Sequence, residues 1–201
     1  MKLVVAGASG FVGSKLVRQS LRHPQITFVI ALARKTLTSV VVKDYEHYPD
    51  DFRTALAGAD ACIRTVAITP SKSASMPVDE AKRLRALHDA GPAPPFRFLY
   101  VSGIAAERDQ SKTPKFRPES SHSPPRMIEA SAAKPGLISG PNNFVRNTLV
   151  GAASLLGVVP SADVGLLSAA MLDQVLNGFE TDEIMHADLV RIGGKVQAEM
   201  K

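Results

Sequence analysis

The sequence predicts an α/β protein, a doubly wound and mainly parallel sheet with a small C-terminal helical part. Three observations lead there. Short apolar runs recur at Lys2–Ala6, Ile26–Ala33, Ser39–Lys43, Ala61–Ile68 and Phe96–Ser102. Segments with helical spacing separate several of them, the alternation that builds parallel sheets. From Asn142 to Leu176 the apolar positions follow helical spacing instead.

The first element is the most specific. Lys2-Leu3-Val4-Val5-Ala6 reads as a strand, and the turn Gly7-Ala8-Ser9-Gly10-Phe11-Val12-Gly13 follows at once. Val12, Leu16, Val17 and Leu21 then fall one helical turn apart, so strand, tight turn and helix succeed one another. Ile26–Ala33 completes a βαβ unit. In this context the three glycines have mechanical roles. Gly7 turns the chain off the strand, Gly10 lets a pyrophosphate approach the backbone, and Gly13 lets helix and strand pack closely. Unpaired amides at the helix start, with the positive end of its dipole, face the phosphates. A dinucleotide site on Gly7, Ser9, Gly10, Phe11, Val12 and Gly13 follows, with the cofactor as its ligand.

The wording Gly-Ala-Ser-Gly-Phe-Val-Gly resembles that of the extended and atypical short-chain dehydrogenase/reductases, which are NAD(P)-binding Rossmann proteins. The nearest likeness is to the NmrA-like and Tat-interacting-protein groups. Ala33-Arg34-Lys35, Leu99-Tyr100-Val101-Ser102-Gly103 and Lys134-Pro135-Gly136-Leu137-Ile138 extend the likeness through residues 1 to 141. The resemblance implies a Rossmann-like fold in which Ala67, Pro135 and Gly136 border the cofactor and Asp44 faces the adenine amino group.

The end of the second strand should meet the cofactor's ribose. Where NAD-preferring proteins carry an acidic residue there, this chain has Arg34-Lys35. A guanidinium can hold a 2′-phosphate bidentately, so NADP(H) is expected over NAD(H). Only Arg34 to Ser39 separate the second apolar run from the third, a bare crossover of roughly 20 Å without a covering helix.

Further along, Asp50–Gly58 reads as a short helix with acidic residues at its start and glycine at its end. Ala61–Ile68 is the fourth strand. Arg64 within it either reaches solvent along its stem or marks a later strand start. Cys62 reads as a small core residue. Pro77–Ala90 is a helix stopped by Gly91, with His88 near its end, and Gly91–Pro95 is a rigid linker. Phe96–Ser102 is the fifth strand. Four prolines in Gly103–Met127 exclude a long helix there. Met127–Ala133 is the sixth strand, leading into Lys134-Pro135-Gly136. Helices are expected over Asn142–Leu156 and over Val164–Leu176, the latter stopped by Asn177-Gly178. A helix or mixed cap is expected from Thr181 to Lys201. One domain covers residues 1–201, with a nucleotide-binding core over 1–141 and a C-terminal helical cap over 142–201.

Reductases of the family it resembles use a Ser, a Tyr and a Lys. The Tyr, three residues before the Lys, exchanges the proton while hydride moves at the nicotinamide. Ser102, ending the fifth strand, stands where that serine would fall. No tyrosine follows it, because the three tyrosines are Tyr45, Tyr48 and Tyr100, and no Tyr-x-x-x-Lys exists in the chain. Three readings stand. The first is an NADP(H)-dependent oxidoreductase on a small carbonyl- or quinone-type substrate, with Ser102 polarising the substrate oxygen. The second is a non-catalytic NADP(H)-sensing regulator of NmrA type, or a truncated, inactive reductase relative. The third, a nucleic-acid-associated protein, is disfavoured by composition.

The net charge is +5 and the pI about 9.5, but the 24 Lys and Arg are scattered without a basic stripe. No apolar run approaches the ~18 residues of a membrane span. A strand beginning at Lys2 leaves no room for a signal peptide. One cysteine excludes a disulfide framework. The expected protein is cytoplasmic and uses no metal, nucleic acid or membrane. A small-molecule substrate or a regulatory protein is its expected partner. The missing catalytic helix should bare one sheet face, which predicts weak stability or a homodimer.

Overall fold

The computed structural model describes residues 1–33, 57–65, 95–102, 128–140 and 160–199. Eight strands are described: β1 (Lys2–Ala6), β2 (Phe28–Leu32), β3 (Ala61–Arg64), β4 (Phe96–Val101), β5 (Ile128–Lys134), β6 (Leu137–Ser139), β7 (Ser161–Asp163) and β8 (Glu183–Met185). Six of them form one sheet, parallel throughout, in the order β2-β1-β3-β4-β5-β8. A separate parallel pair joins β6 to β7. The helices among the described residues are α1 (Phe11–Ser20), α2 (Val164–Asn177) and α3 (His186–Glu199).

From β1 the chain steps outward to β2, then returns to lay β3 on the opposite side of β1. This reversal is the doubly wound arrangement, and it puts a switch point between β1 and β3. Period-two alternation sorts the side chains. Leu3, Val5, Ile63 and Leu99 point to the face that α1, α2 and α3 cover, where they meet Leu16, Met171 and Leu189. Val4, Ala6, Ile30, Cys62 and Phe98 form a second buried cluster on the other face. Strands buried on both faces read as the near-continuous apolar runs seen in the sequence. No described helix covers that second face.

α2 is buried nearly all round, wedged between the sheet, α1 and α3, as an apolar helix in a core should be. Its ends have identifiable causes. Asp163 caps it by accepting from the amides of Gly165 (2.7 Å) and Leu166 (3.4 Å). Gly178, at φ 103°, ends it, and Arg97 on β4 donates to the last-turn carbonyls of Val175 and Leu176 at 3.1 and 2.9 Å.

The tail holds one element the sequence does not predict. Beyond Thr181 the three-residue strand β8 precedes the final helix and extends the main sheet beside β5. Only Ile184 of β8 is buried, so its pattern is too short to read as a strand. The β6–β7 pair likewise has no counterpart among the predicted elements. Arg64 is the last residue of β3 and half-buried, in keeping with a strand that starts at Ala61 and a side chain reaching out at its end. Cys62 is buried in the second cluster. The expected strand Ser39–Lys43, the helices at Pro77–Ala90 and Asn142–Leu156, most of the Asp50–Gly58 helix and the Gly103–Met127 segment lie outside the described residues.

Candidate functional site

The site is built where β1 ends. Gly7 takes φ 88°, a left-handed conformation that turns the chain off the strand. The turn is then locked from two sides. The amides of Gly7 and Ala8 both donate to the carbonyl of Leu32, at 2.9 and 3.0 Å, and Gly10 donates to the carbonyl of Gly7 at 2.8 Å. α1 starts at once, its first intrahelical bond running from Ser14 to the Gly10 carbonyl at 2.9 Å. Gly10 has extended backbone geometry and no side chain to cap the helix.

That leaves donors unspent. Among the described residues, the amides of Ser9, Val12 and Gly13 have no protein acceptor. They surround a helix start, where the dipole favours negative charge. Ser9 and Gly10 are exposed, so the approach is open.

Gly13 fixes how close the helix comes. A Cβ placed there would lie 2.1 Å from the Gly7 carbonyl oxygen and 2.7 Å from its carbon. At Gly10 a Cβ would meet the Gly7 oxygen at 3.1 Å, so a side chain there would crowd the turn. The residues therefore form a cradle that side chains would fill, and a diphosphate fits its donor set. Phe11 lays its ring close against Gly140. Val12 is half-buried beside the helical core.

The remaining site residues line the C-terminal edge of the sheet. Thr65, just past β3, donates its amide (2.8 Å) and its hydroxyl (3.0 Å) to the Ala6 carbonyl, closing the seam between β1 and β3 beneath the turn. Sequence reasoning missed Thr65, although a threonine directly after a strand that borders the glycine turn was the available signal. Ser102 follows β4, half-buried, its amide donating to Ala133 at 2.8 Å. The β4–β5 register puts Lys134 level with Ser102 on the next strand. Pro135 is buried, and the Gly136 amide donates to His186 Nδ1 at 3.3 Å. Lys134 is buried in an ion pair with Glu183, Nζ to Oε2 2.9 Å. His186 and Glu183 carry no sequence signal, because the tail reads only as a helix or mixed cap.

The glycine turn and Thr65 thus meet at one seam, while Ser102 and the Pro135–Gly136 turn stand on successive strands along the same edge. Arg34, Lys35, Asp44 and Ala67 lie outside the described residues. Among the described residues there is no cluster of three or more His, Cys, Asp or Glu that could hold a metal ion, and no helix long and apolar enough to cross a membrane.

No family model matches the chain, and no curated protein matches it. Solved structures do. Gre2 from Candida albicans, in complex with NADPH, aligns with a TM-score of 0.63 and 17% identity over 92% of this chain and 77% of that one. UDP-N-acetylglucosamine 4-epimerase from Bacillus cereus gives 0.61 and 16%, over 95% and 83% of the two chains. UDP-glucose 4-epimerase from Thermus thermophilus, in complex with NAD, gives 0.55 and 13%, over 98% and 84%. At these identities the likeness is one of fold, and the fold is a Rossmann-like α/β sheet.

Proposed function

We propose that this chain binds NADP(H) in the crevice at the end of β1 and acts as an oxidoreductase on a small carbonyl- or quinone-type substrate. One observation carries the proposal: a glycine turn with unpaired amides opens onto the switch point of a parallel sheet, and a Cβ at Gly13 is sterically excluded. The fold neighbours held with NADPH or NAD support a nicotinamide cofactor. Within this fold the chain is read as an atypical or extended short-chain dehydrogenase/reductase relative with NmrA-like wording in its motifs, forming a single cytoplasmic domain.

Each residue then has a task. The amides of Val12 and Gly13 hold the diphosphate, and Gly10 leaves room for it. Arg34 and Lys35 favour a 2′-phosphate over a bare ribose hydroxyl. The cofactor, when bound, supplies or accepts hydride. Ser102 donates a hydrogen bond to the substrate oxygen, polarising its carbonyl and stabilising the charge that develops on it. The proton comes from water or a donor other than tyrosine, since no tyrosine follows Ser102.

That same absence favours a second reading, a regulator that binds NADP(H) without turning it over. Calorimetric titration with NADPH and NADH tests what both share. Binding that Gly10→Val abolishes supports the site, and unchanged affinity in that variant refutes it. NADPH consumption across a panel of carbonyls and quinones then separates enzyme from sensor. A homodimer covering the second sheet face is also proposed, and a monomeric mass with a cooperative melt counts against it.

A further inference from the structure

The end of β5 is held at successive positions by residues 181–186. Ser131 Oγ donates to the Thr181 carbonyl at 2.8 Å, and the Ala132 amide donates to the Asp182 carbonyl at 2.9 Å. Lys134 Nζ reaches Glu183 Oε2 at 2.9 Å, and the Gly136 amide reaches His186 Nδ1 at 3.3 Å. On its far side the turn is fixed by backbone: Leu137 donates to the Pro160 carbonyl at 2.8 Å, and a Cβ on Gly136 would lie 1.9 Å from that oxygen. The Pro135–Gly136 turn is therefore clamped between a backbone carbonyl and a side-chain imidazole. Only the imidazole can be altered without moving the main chain.

The position of the turn gives the clamp its meaning. The diphosphate cradle sits at the end of β1, and β2 lies beside β1 on one side of it. A dinucleotide spans the crevice, so its other half extends over β3, β4 and β5. Ser102 and Pro135–Gly136 stand there. We infer that the nicotinamide-side wall of the crevice is set from the C-terminal segment, with His186 the positioning residue that holds Gly136; this rests on the NADP(H) reading. Without an acceptor at residue 186 the Gly136 amide loses its partner, and the wall relaxes while the diphosphate cradle stays intact.

The test compares NADPH with 2′-phospho-ADP-ribose, which lacks the nicotinamide end, by calorimetry on the full chain. His186→Leu should raise the NADPH dissociation constant about tenfold, the result of a released turn that holds its binding position only about a tenth of the time. The same variant should bind 2′-phospho-ADP-ribose as the unaltered chain does. His186→Asn, which keeps an acceptor near the position of Nδ1, should recover most of the NADPH affinity. Arg191→Ala loosens the same helix by removing its ion pairs to Glu180 and Asp188, and should change neither constant. Equal loss of both ligands in His186→Leu marks a merely structural role and overturns the inference. Unchanged NADPH affinity overturns it too, while Gly10→Val in parallel shows whether the cradle assignment survives. An unaltered chain that binds neither ligand removes both. If His186→Leu does not fold, His186→Phe, which keeps a ring of similar size but offers no acceptor, carries the same expectation.

Discussion

Gly13→Ala should destabilise the protein, although alanine is the better helix former. A methyl group at Gly13 would sit 2.1 Å from the Gly7 oxygen and 3.0 Å from the Ala8 Cα. All of these neighbours are backbone, so no side chain can swing away. Restoring ordinary contact moves α1 and the turn apart by about 1 Å, an overpacking that costs about 1–3 kcal/mol. The three turn hydrogen bonds, to Leu32 and Gly7, lie in the path of that movement, and each one spoiled adds about 1 kcal/mol. Against this stands about 1 kcal/mol of helix propensity gained over glycine. The net loss is about 2 kcal/mol, which lowers Tm by about 4–8 °C in a chain of this size. Gly194 on α3 supplies the matched control, since a Cβ there meets nothing within 4 Å. Gly194→Ala should gain about 1 kcal/mol from the same propensity. Denaturant midpoints of the two variants therefore move in opposite directions. If Gly13→Ala is as stable as the parent, or both variants shift alike, the close approach of helix and turn is not what holds the cradle.

Three further expectations follow from the site and its supports. Arg34→Asp should weaken NADPH far more than NADH in calorimetry, and equal losses would remove the cofactor preference. Ser102→Ala should leave NADPH affinity intact while reducing carbonyl-dependent NADPH oxidation about a hundredfold or more, on the order of what one oxyanion donor contributes. Undiminished turnover would exclude Ser102 from the chemistry. Asp163→Ala removes the cap of α2 and should cost about 1 kcal/mol, read as a lower denaturant midpoint without loss of nucleotide binding.

Local pattern makes much of this molecule legible. Strand, glycine turn and helix at the start announce themselves through spacing, because the steric demands on Gly7 and Gly13 arise within a dozen residues. The sequence bounds α2 to within a residue, since its apolar run ends at Asn177-Gly178 and Gly178 adopts the positive φ that stops helices. What stays hidden depends on distant partners. β8 has one buried residue, and it becomes a strand only because β5 offers it an edge. Ser131 and Lys134 look misplaced in a buried strand until Thr181 and Glu183 are found to satisfy them. Thr65 and His186 belong to the same class: their roles exist only once the sheet has brought remote segments level.

The late arrival of β8 bears on synthesis. Glu183 lies 49 positions after Lys134, its ion-pair partner. At ribosomal rates that interval lasts roughly 2.5 to 10 s. Throughout it the outer rim of β5 has no β8 to pair with, and an unpaired rim can template association with other nascent chains. Expression at lower temperature, or with a holdase chaperone, should accordingly raise the yield of soluble protein.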